Sequence, residues 1–282
     1  MRKSAERVSI HGGHSGEFCN HAEDSLEAVV GAYIAKGYTW VGLTEHMPPT
    51  EDAYLYPEET AAGLDAAGMA ARFDRFVNTA RRLQRAHADE IALFVAMEIE
   101  TYPGSIDLAR TLMERHDLEY VLGSIHHVDG IPIDYNPAEY ARAADRCGGR
   151  TALYCRYFDQ QYEMLTELNP TAVGHFDLIR IFDEDYAERI RHPEVWRRVT
   201  RNLEYVRDHD LILDINLRAL FKGAADPYPC HVILRQIAKM GIQIAPGDDS
   251  HGVATVGACW EAGMDALVAA GMAVEQVGAG EL

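Results

Sequence analysis

The chain has 282 residues, enough for one large α/β domain or two small ones, and either could bury a substantial core. Lys and Arg number 26 against 44 Asp and Glu, and the resulting formal charge of -18 disfavours nonspecific attraction to nucleic acid or an anionic membrane, partners that reward clustered Lys and Arg. A phosphate-handling site in such a chain needs a local source of positive charge, which metal ions can supply.

The charged start, Met1 to Arg7, runs into no apolar h-region, and no stretch of about 18 apolar residues follows anywhere, so a cytoplasmic protein is expected. The first apolar run, Val8-Ser9-Ile10, leads into His11-Gly12-Gly13-His14-Ser15-Gly16-Glu17-Phe18-Cys19-Asn20-His21. This places three imidazoles at the mouth of a first strand. Imidazole is the commonest metal ligand, although Gly-rich His segments also occur as plain loops. Asp24 with Glu27 forms a capping arrangement for a helix whose apolar face is Leu26, Val29, Val30, Tyr33 and Ile34, ending before Gly37. Thr39 to Thr44 reads as a buried strand delivering Glu45 and His46, and Met47-Pro48-Pro49 then stops regular structure.

The same pattern of strand followed by polar residue recurs. A helix over 66–88 precedes the strand Ile91 to Met97, which ends at Glu98. The run Val121 to Ile125 ends at His126, Thr171 to Gly174 at His175, and Leu211 to Ile215 at Asn216; Ile242 to Gly247 leads into Asp248, Asp249 and His251. Helical patterns cover 151–167, 193–208, 229–240 and 257–271, with Trp196 and Trp260 at apolar helical positions that suit core packing. Apolar strands alternating with helices indicate a parallel sheet with right-handed crossovers. An open doubly wound sheet gathers ligands near one switch point, whereas a barrel draws them from the ends of most strands. Almost every strand here ends in a potential ligand, so a single α/β domain over 1–282 is expected, closed as a seven-stranded barrel.

The candidate ligands are His11, His14, His21, His46, Glu98, His126, His175, Asp249 and His251. Nitrogen and carboxylate donors suit Zn, Mn or Fe, and a carboxylate among them can bridge two ions that clamp a phosphoryl group. The five cysteines, Cys19, Cys147, Cys155, Cys230 and Cys259, form no CxxC pair and are odd in number, which points to reduced, mostly buried thiols. A Cys19/His nucleophilic pair is conceivable but leaves the strand-end ligands unexplained. His87, His116, His192, His209 and His231 show no strand-end pattern, and His127 should point away if His126 points in. Asp177 and Asp214 can either orient ligands or cap.

These residues carry a resemblance. The His-rich first loop, Thr44-Glu45-His46, Met97-Glu98-Ile99-Glu100-Thr101-Tyr102, Gly123-Ser124-Ile125-His126, Gly174-His175-Phe176-Asp177 and Gly247-Asp248-Asp249-Ser250-His251 together resemble the polymerase and histidinol phosphatase (PHP) family across most of the chain. Phe18-Cys19-Asn20-His21-Ala22, Asp214-Ile215-Asn216 and Pro227-Tyr228-Pro229 resemble its histidinol-phosphatase branch.

The resemblance implies a distorted (β/α)7, TIM-barrel-like PHP fold with two or three divalent ions (Zn, Mn or Fe). It also implies hydrolysis of L-histidinol phosphate, the phosphatase step of histidine biosynthesis, by a metal-bound hydroxide. Carried over residue by residue, it puts His11, His14, Glu98 and Asp249 on one ion, the bridging Glu98 with His126 and His175 on a second, and His21, His46 and His251 on a third. Glu98, Asp249, His251 and Arg180 would then serve the chemistry, Arg180 as a phosphate clamp or else as a surface ion pair beside Asp183 and Glu184; Arg218 and Lys222 are further candidates for the clamp. Two departures stand out: His-x-x-His replaces the family's His-x-His, and Asp248 replaces a Ser, adding negative charge near the centre. The expected partner is a small phosphorylated substrate, neither nucleic acid nor a membrane, and the sequence is silent on oligomeric state. Rival expectations are a nucleotide or another small phosphate ester as substrate, or a non-catalytic metal-binding module.

Overall fold

The computed structural model describes residues 6–272, so part of the charged N-terminal stretch lies outside the described residues. Its strands are β1 (Arg7–Gly12), β2 (Tyr38–His46), β3 (Ala92–Glu98), β4 (Val121–Gly123), β5 (His127–Val128), β6 (Ile131–Pro132), β7 (Ala172–Val173), β8 (Ile212–Asn216) and β9 (Ile244–Gly247). Seven of them form one parallel sheet in the order β1-β2-β3-β4-β7-β8-β9, and β5 and β6 make a separate antiparallel hairpin. This is the expected seven-stranded barrel, nearly closed. Where β9 meets β1 the seam is held by bonds beyond the regular ladder: Asp249 N donates to His11 O at 2.7 Å, His14 N to Ser250 O at 3.0 Å, and Ser9 Oγ to Asp248 Oδ1 at 2.7 Å.

Alternation along each strand sends every second residue into the barrel. The interior cluster is Val8, Ile10, Trp40, Ala96, Tyr120, Leu122, Ala172, Ile212 and Ala245, with Phe94 partly buried against it. Tyr120 spans this interior to donate to Ile10 O. Gly42 leaves it room: a Cβ there would fall 1.6 Å from the Tyr120 hydroxyl oxygen. Counting on by two from the interior residues reaches His46 on β2, Glu98 on β3, His126 beyond β4, and Asp214 and Asn216 on β8. The layer above the apolar plug is therefore polar on β2, β3 and β8 and just beyond β4.

The outward strand residues pack against the helices in a second, larger cluster. Helix Pro193–Asp208 shows the pattern, starting with Pro193 at its first turn and burying Val195, Val199, Leu203 and Val206. Trp260 is buried and Trp196 partly buried in the same cluster. The helix Leu26–Ala35 is capped by Ser25, whose side chain accepts from Ala28 N, and not by Asp24, whose Oδ2 instead accepts from Val253 N. Helices Ser105–His116 and Pro137–Cys147 and the β5–β6 hairpin are additional to the elements read from the sequence. No described helix is long and apolar enough to cross a membrane.

Candidate metal centre

At the C-terminal mouth of the barrel the geometry converges on Glu98. Its Oε1 lies 2.9 Å from His175 Nε2 and 3.1 Å from His126 Nε2, while Oε2 lies 3.2 Å from His11 Nε2, 3.3 Å from His46 Nδ1 and 3.8 Å from His14 Nε2. The two oxygens thus face different sets of imidazoles. Asp249 faces the Oε2 set, its Oδ1 standing 3.8 Å from His11 Nε2 and 3.6 Å from His14 Nε2, and it also lies 3.4 Å from His251 Nδ1. Donor atoms within 4.8 Å of one another include the groups His11/His14/Asp249, His11/Glu98/His175, His14/His46/Glu98, His46/Glu100/His126 and Cys19/His21/His46/His251. All nine candidate ligands named from the sequence belong to this one assembly.

His14 reaches it despite the lengthened His-x-x-His spacing. Between Ser9 and Gly12, β1 advances three residues against two on β2, a bulge, and Gly13 follows at φ 79. A Cβ at Gly13 would lie 2.6 Å from the Leu43 side chain, so glycine suits this turn twice over. The His14 ring that emerges is fully buried, with Nδ1 held 3.2 Å from Glu45 Oε1.

Several rings are fixed from behind. Asp214 Oδ2 lies 2.9 Å from His11 Nδ1 and accepts from His175 N at 3.3 Å and Asn216 Nδ2 at 3.0 Å. Asp134 Oδ2 lies 2.9 Å from His126 Nδ1, and Glu100 stands 3.3 Å from His46 and 3.4 Å from His127. Of these, Asp214 was one of two sequence candidates for orienting a ligand. Glu100 carries a signal of its own, sitting two residues past Glu98, whereas Asp134 is returned to the site by the β5–β6 hairpin and has none. His127 turns from the Glu98 cluster and packs near Tyr56 and Tyr102. Asp177 contacts Cys230 N at 2.9 Å and Arg180, making it a brace for the loop at 226–230.

Two expectations are corrected. Arg180 does not line the cavity at the barrel mouth: its guanidinium donates to the carbonyls of Asp226 at 2.9 Å and Pro227 at 2.6 Å, pairs with Asp177 at 3.3 Å and lies 4.2 Å from the Tyr228 ring centre. Its charge is paired inside the fold and not with Asp183 or Glu184 at the surface. Asp248 points away from the ligands, accepting from Ser9 Oγ, Tyr33 Oη and Gly257 N along the β1–β9 seam.

The electrostatics suit a cation. Burial works against the charged form of Glu98, but His11 and His126 hold its carboxyl well below the ordinary range. Burial likewise opposes protonation of His11, yet Glu98 and Asp249 raise it well above the usual imidazole value. His21 is pushed down to about 4 by burial and then by His46 and His14, and His251 is lowered well below its ordinary value by burial and then by His14. His11 Nε2 and His14 Nε2 are buried without hydrogen-bond partners although both face Glu98 and Asp249. Buried polar atoms left unpaired are costly, and divalent cations between these donors would satisfy them together. Beside the cluster lies a cavity of about 280 Å³, with Arg218 and Lys222 among its walls and with Tyr56, Glu58, Asp134 and Tyr135 also lining it.

Comparison with known proteins agrees with this geometry. The model of the PHP domain matches residues 12–218. A probable histidinol-phosphatase of Schizosaccharomyces pombe is 36% identical over 254 residues, covering 89% of this chain and 82% of the relative. The histidinol-phosphatase of Saccharomyces cerevisiae is 30% identical, covering 89% of this chain and 85% of its own. The crystal structure of histidinol phosphate phosphatase from Lactococcus lactis, complexed with zinc, L-histidinol and phosphate, has the same fold, with a TM-score of 0.71 at 17% identity over 96% of this chain and 95% of that one.

Proposed function

The chain belongs to the PHP domain family, and from that premise we propose that it hydrolyses L-histidinol phosphate to L-histidinol and phosphate, the phosphatase step of histidine biosynthesis, in the cytoplasm. The observation that carries the reading is the Glu98 carboxylate set between two groups of imidazoles. In this reading His11, His14, Glu98 and Asp249 hold one ion, and Glu98 shares a second with His126 and His175. His21, His46 and His251 hold a third, with Zn, Mn or Fe as the ions. The shared name of the relatives at 30% identity and above supports the substrate.

Divalent ions in this cage supply Lewis acidity that polarises the phosphoryl group and makes water nucleophilic near neutral pH. The chain's own residues prepare the site for that chemistry. Asp214, Asp134 and Glu45 lock the rings of His11, His126 and His14 in the orientations that aim their other nitrogens inward. Arg218, which also donates to Asp249 O at 3.3 Å, and Lys222 offer fixed positive charge on the cavity wall for the phosphate. Glu58 and Asp134, beside the rings of Tyr56 and Tyr135, suit an ammonium and an imidazole. The net charge of -18 fits a small substrate in place of nucleic acid. The test is phosphate release from a panel of phosphate esters with Zn, Mn or Fe present: histidinol phosphate should give the highest kcat/KM, and a better nucleotide or sugar phosphate would overturn the substrate assignment.

A further inference from the structure

Cys19 stands beside the three imidazoles, His21, His46 and His251, that the reading above assigns to a third ion. Phe18 N and Cys19 N both donate to Ser15 O, at 3.0 and 2.8 Å, and this tight turn buries the thiol, 5% exposed. Phe18 packs against Phe76 at 5.7 Å between ring centres, which anchors the turn to the helix Ala66–Ala86. Cys19 Sγ and one nitrogen each of His21, His46 and His251 lie within 4.8 Å of one another. The four ligands of a tetrahedral zinc, bonded at about 2.0–2.3 Å, stand roughly 3.5 Å apart, so small side-chain adjustments bring this set onto one ion. The other four cysteines join no such group among the described residues.

We propose that Cys19 is a fourth protein ligand of the third ion, making that site a closed one of a single thiolate and three imidazoles, beside two sites of nitrogen and oxygen donors. The inference rests on the metal-centre reading above. As the ion binds, the thiol loses its proton to solvent and the thiolate forms the metal–sulfur bond. A site with three protein ligands keeps an open position for substrate or water, whereas four tetrahedral protein ligands fill the coordination sphere. With that ligand the third ion would join the first loop to β2 and to the loop after β9. Thiolate also biases this position toward Zn over Mn.

The metal-free full-length chain loaded with cobalt(II) tests the assignment. Three cobalt ions per chain and a sulfur-to-cobalt charge-transfer band in the near ultraviolet are expected, with the band lost in Cys19→Ser and kept in Cys147→Ser. A fully loaded wild-type chain without the band overturns the proposal, as does a band that survives Cys19→Ser or loading that stops below three ions. If Cys19→Ser does not fold, zinc X-ray absorption on the wild type decides, through a sulfur scatterer at about 2.3 Å or its absence. Assaying the same cobalt samples on histidinol phosphate separates the two readings: hydrolysis without the band leaves the function standing and removes the ligand, and the band without hydrolysis does the reverse.

Discussion

Glu98 faces a different group of imidazoles with each of its oxygens, so replacing it changes more than one contact. A glutamine keeps the shape but offers one carbonyl oxygen and no charge, which cannot hold two cations together. Glu98→Gln should reduce phosphate release far more than the roughly 10- to 100-fold that loss of an outer-shell partner causes, with the circular dichroism spectrum unchanged. Near-normal turnover would contradict the bridging role. Asp214→Asn, which weakens only the partner behind His11, should fall within that 10- to 100-fold range. The two arginines separate in the same way. Arg180→Ala leaves Asp177 buried beside a lost cation and should cost about 3–5 kcal/mol of stability, read as a lower melting temperature, because its guanidinium is bound to Asp226 O, Pro227 O and Asp177. Arg218→Ala should instead raise KM for the phosphate ester while the melting temperature holds. If Arg180→Ala raised KM and left stability intact, the phosphate contact would lie with Arg180 after all.

Elements rather than single residues decide how the first loop meets the sheet. The barrel class and the strand ends were legible because hydrophobic alternation determines which residues of β2, β3 and β8 face the interior, and further along the same faces lie His46, Glu98 and Asp214. Three features were not legible from local pattern. The bulge at Gly12-Gly13 depends on Leu43 of the neighbouring strand and on Ser250, whose Oγ accepts from Gly13 N at 3.2 Å. Asp134 reaches His126 only through a hairpin too short to show periodicity. The partners of Arg180 could not be read locally because the carbonyls it donates to lie 46 and 47 residues downstream. The Asp248 seam gives a testable pH effect. Burial raises its carboxyl to about 6, partly offset by Gly257 N, Ser9 and Tyr33. A carboxyl that binds its proton more tightly when folded than unfolded makes folding less stable as pH rises from about 4 through 6. Asp248→Asn, neutral at every pH, should flatten that decline, so metal-free variant and wild type should differ in the shift of melting temperature between pH 5 and pH 7. Parallel shifts would place the Asp248 titration elsewhere.

Across the whole molecule, the apolar plug and the polar mouth divide the labour of closing the barrel. Below, Tyr120, Trp40 and their neighbours fill the interior and bury every strand against its opposite. Above, carboxylates and imidazoles from β1, β2, β3 and the segments following β1, β4, β7 and β9 meet in one layer, where unpaired lone pairs and like charges cost stability unless cations join them. Metal binding is consequently linked to folding, since the unfolded chain does not hold these donors together. At free metal about 100-fold above its dissociation constant, each ion would add about 2.7 kcal/mol to the folded state. For a chain of this size such an increment corresponds to a rise of roughly 5 °C in melting temperature. Calorimetry of the metal-loaded protein with and without a chelator should therefore show a drop of at least that size. Restoring the ions should return both the transition and phosphate release. A chelated protein that loses activity at an unchanged melting temperature would mean that the fold carries the cage without any help from its ions, and the mouth would then be preorganised by Asp214, Asp134 and Glu45 alone.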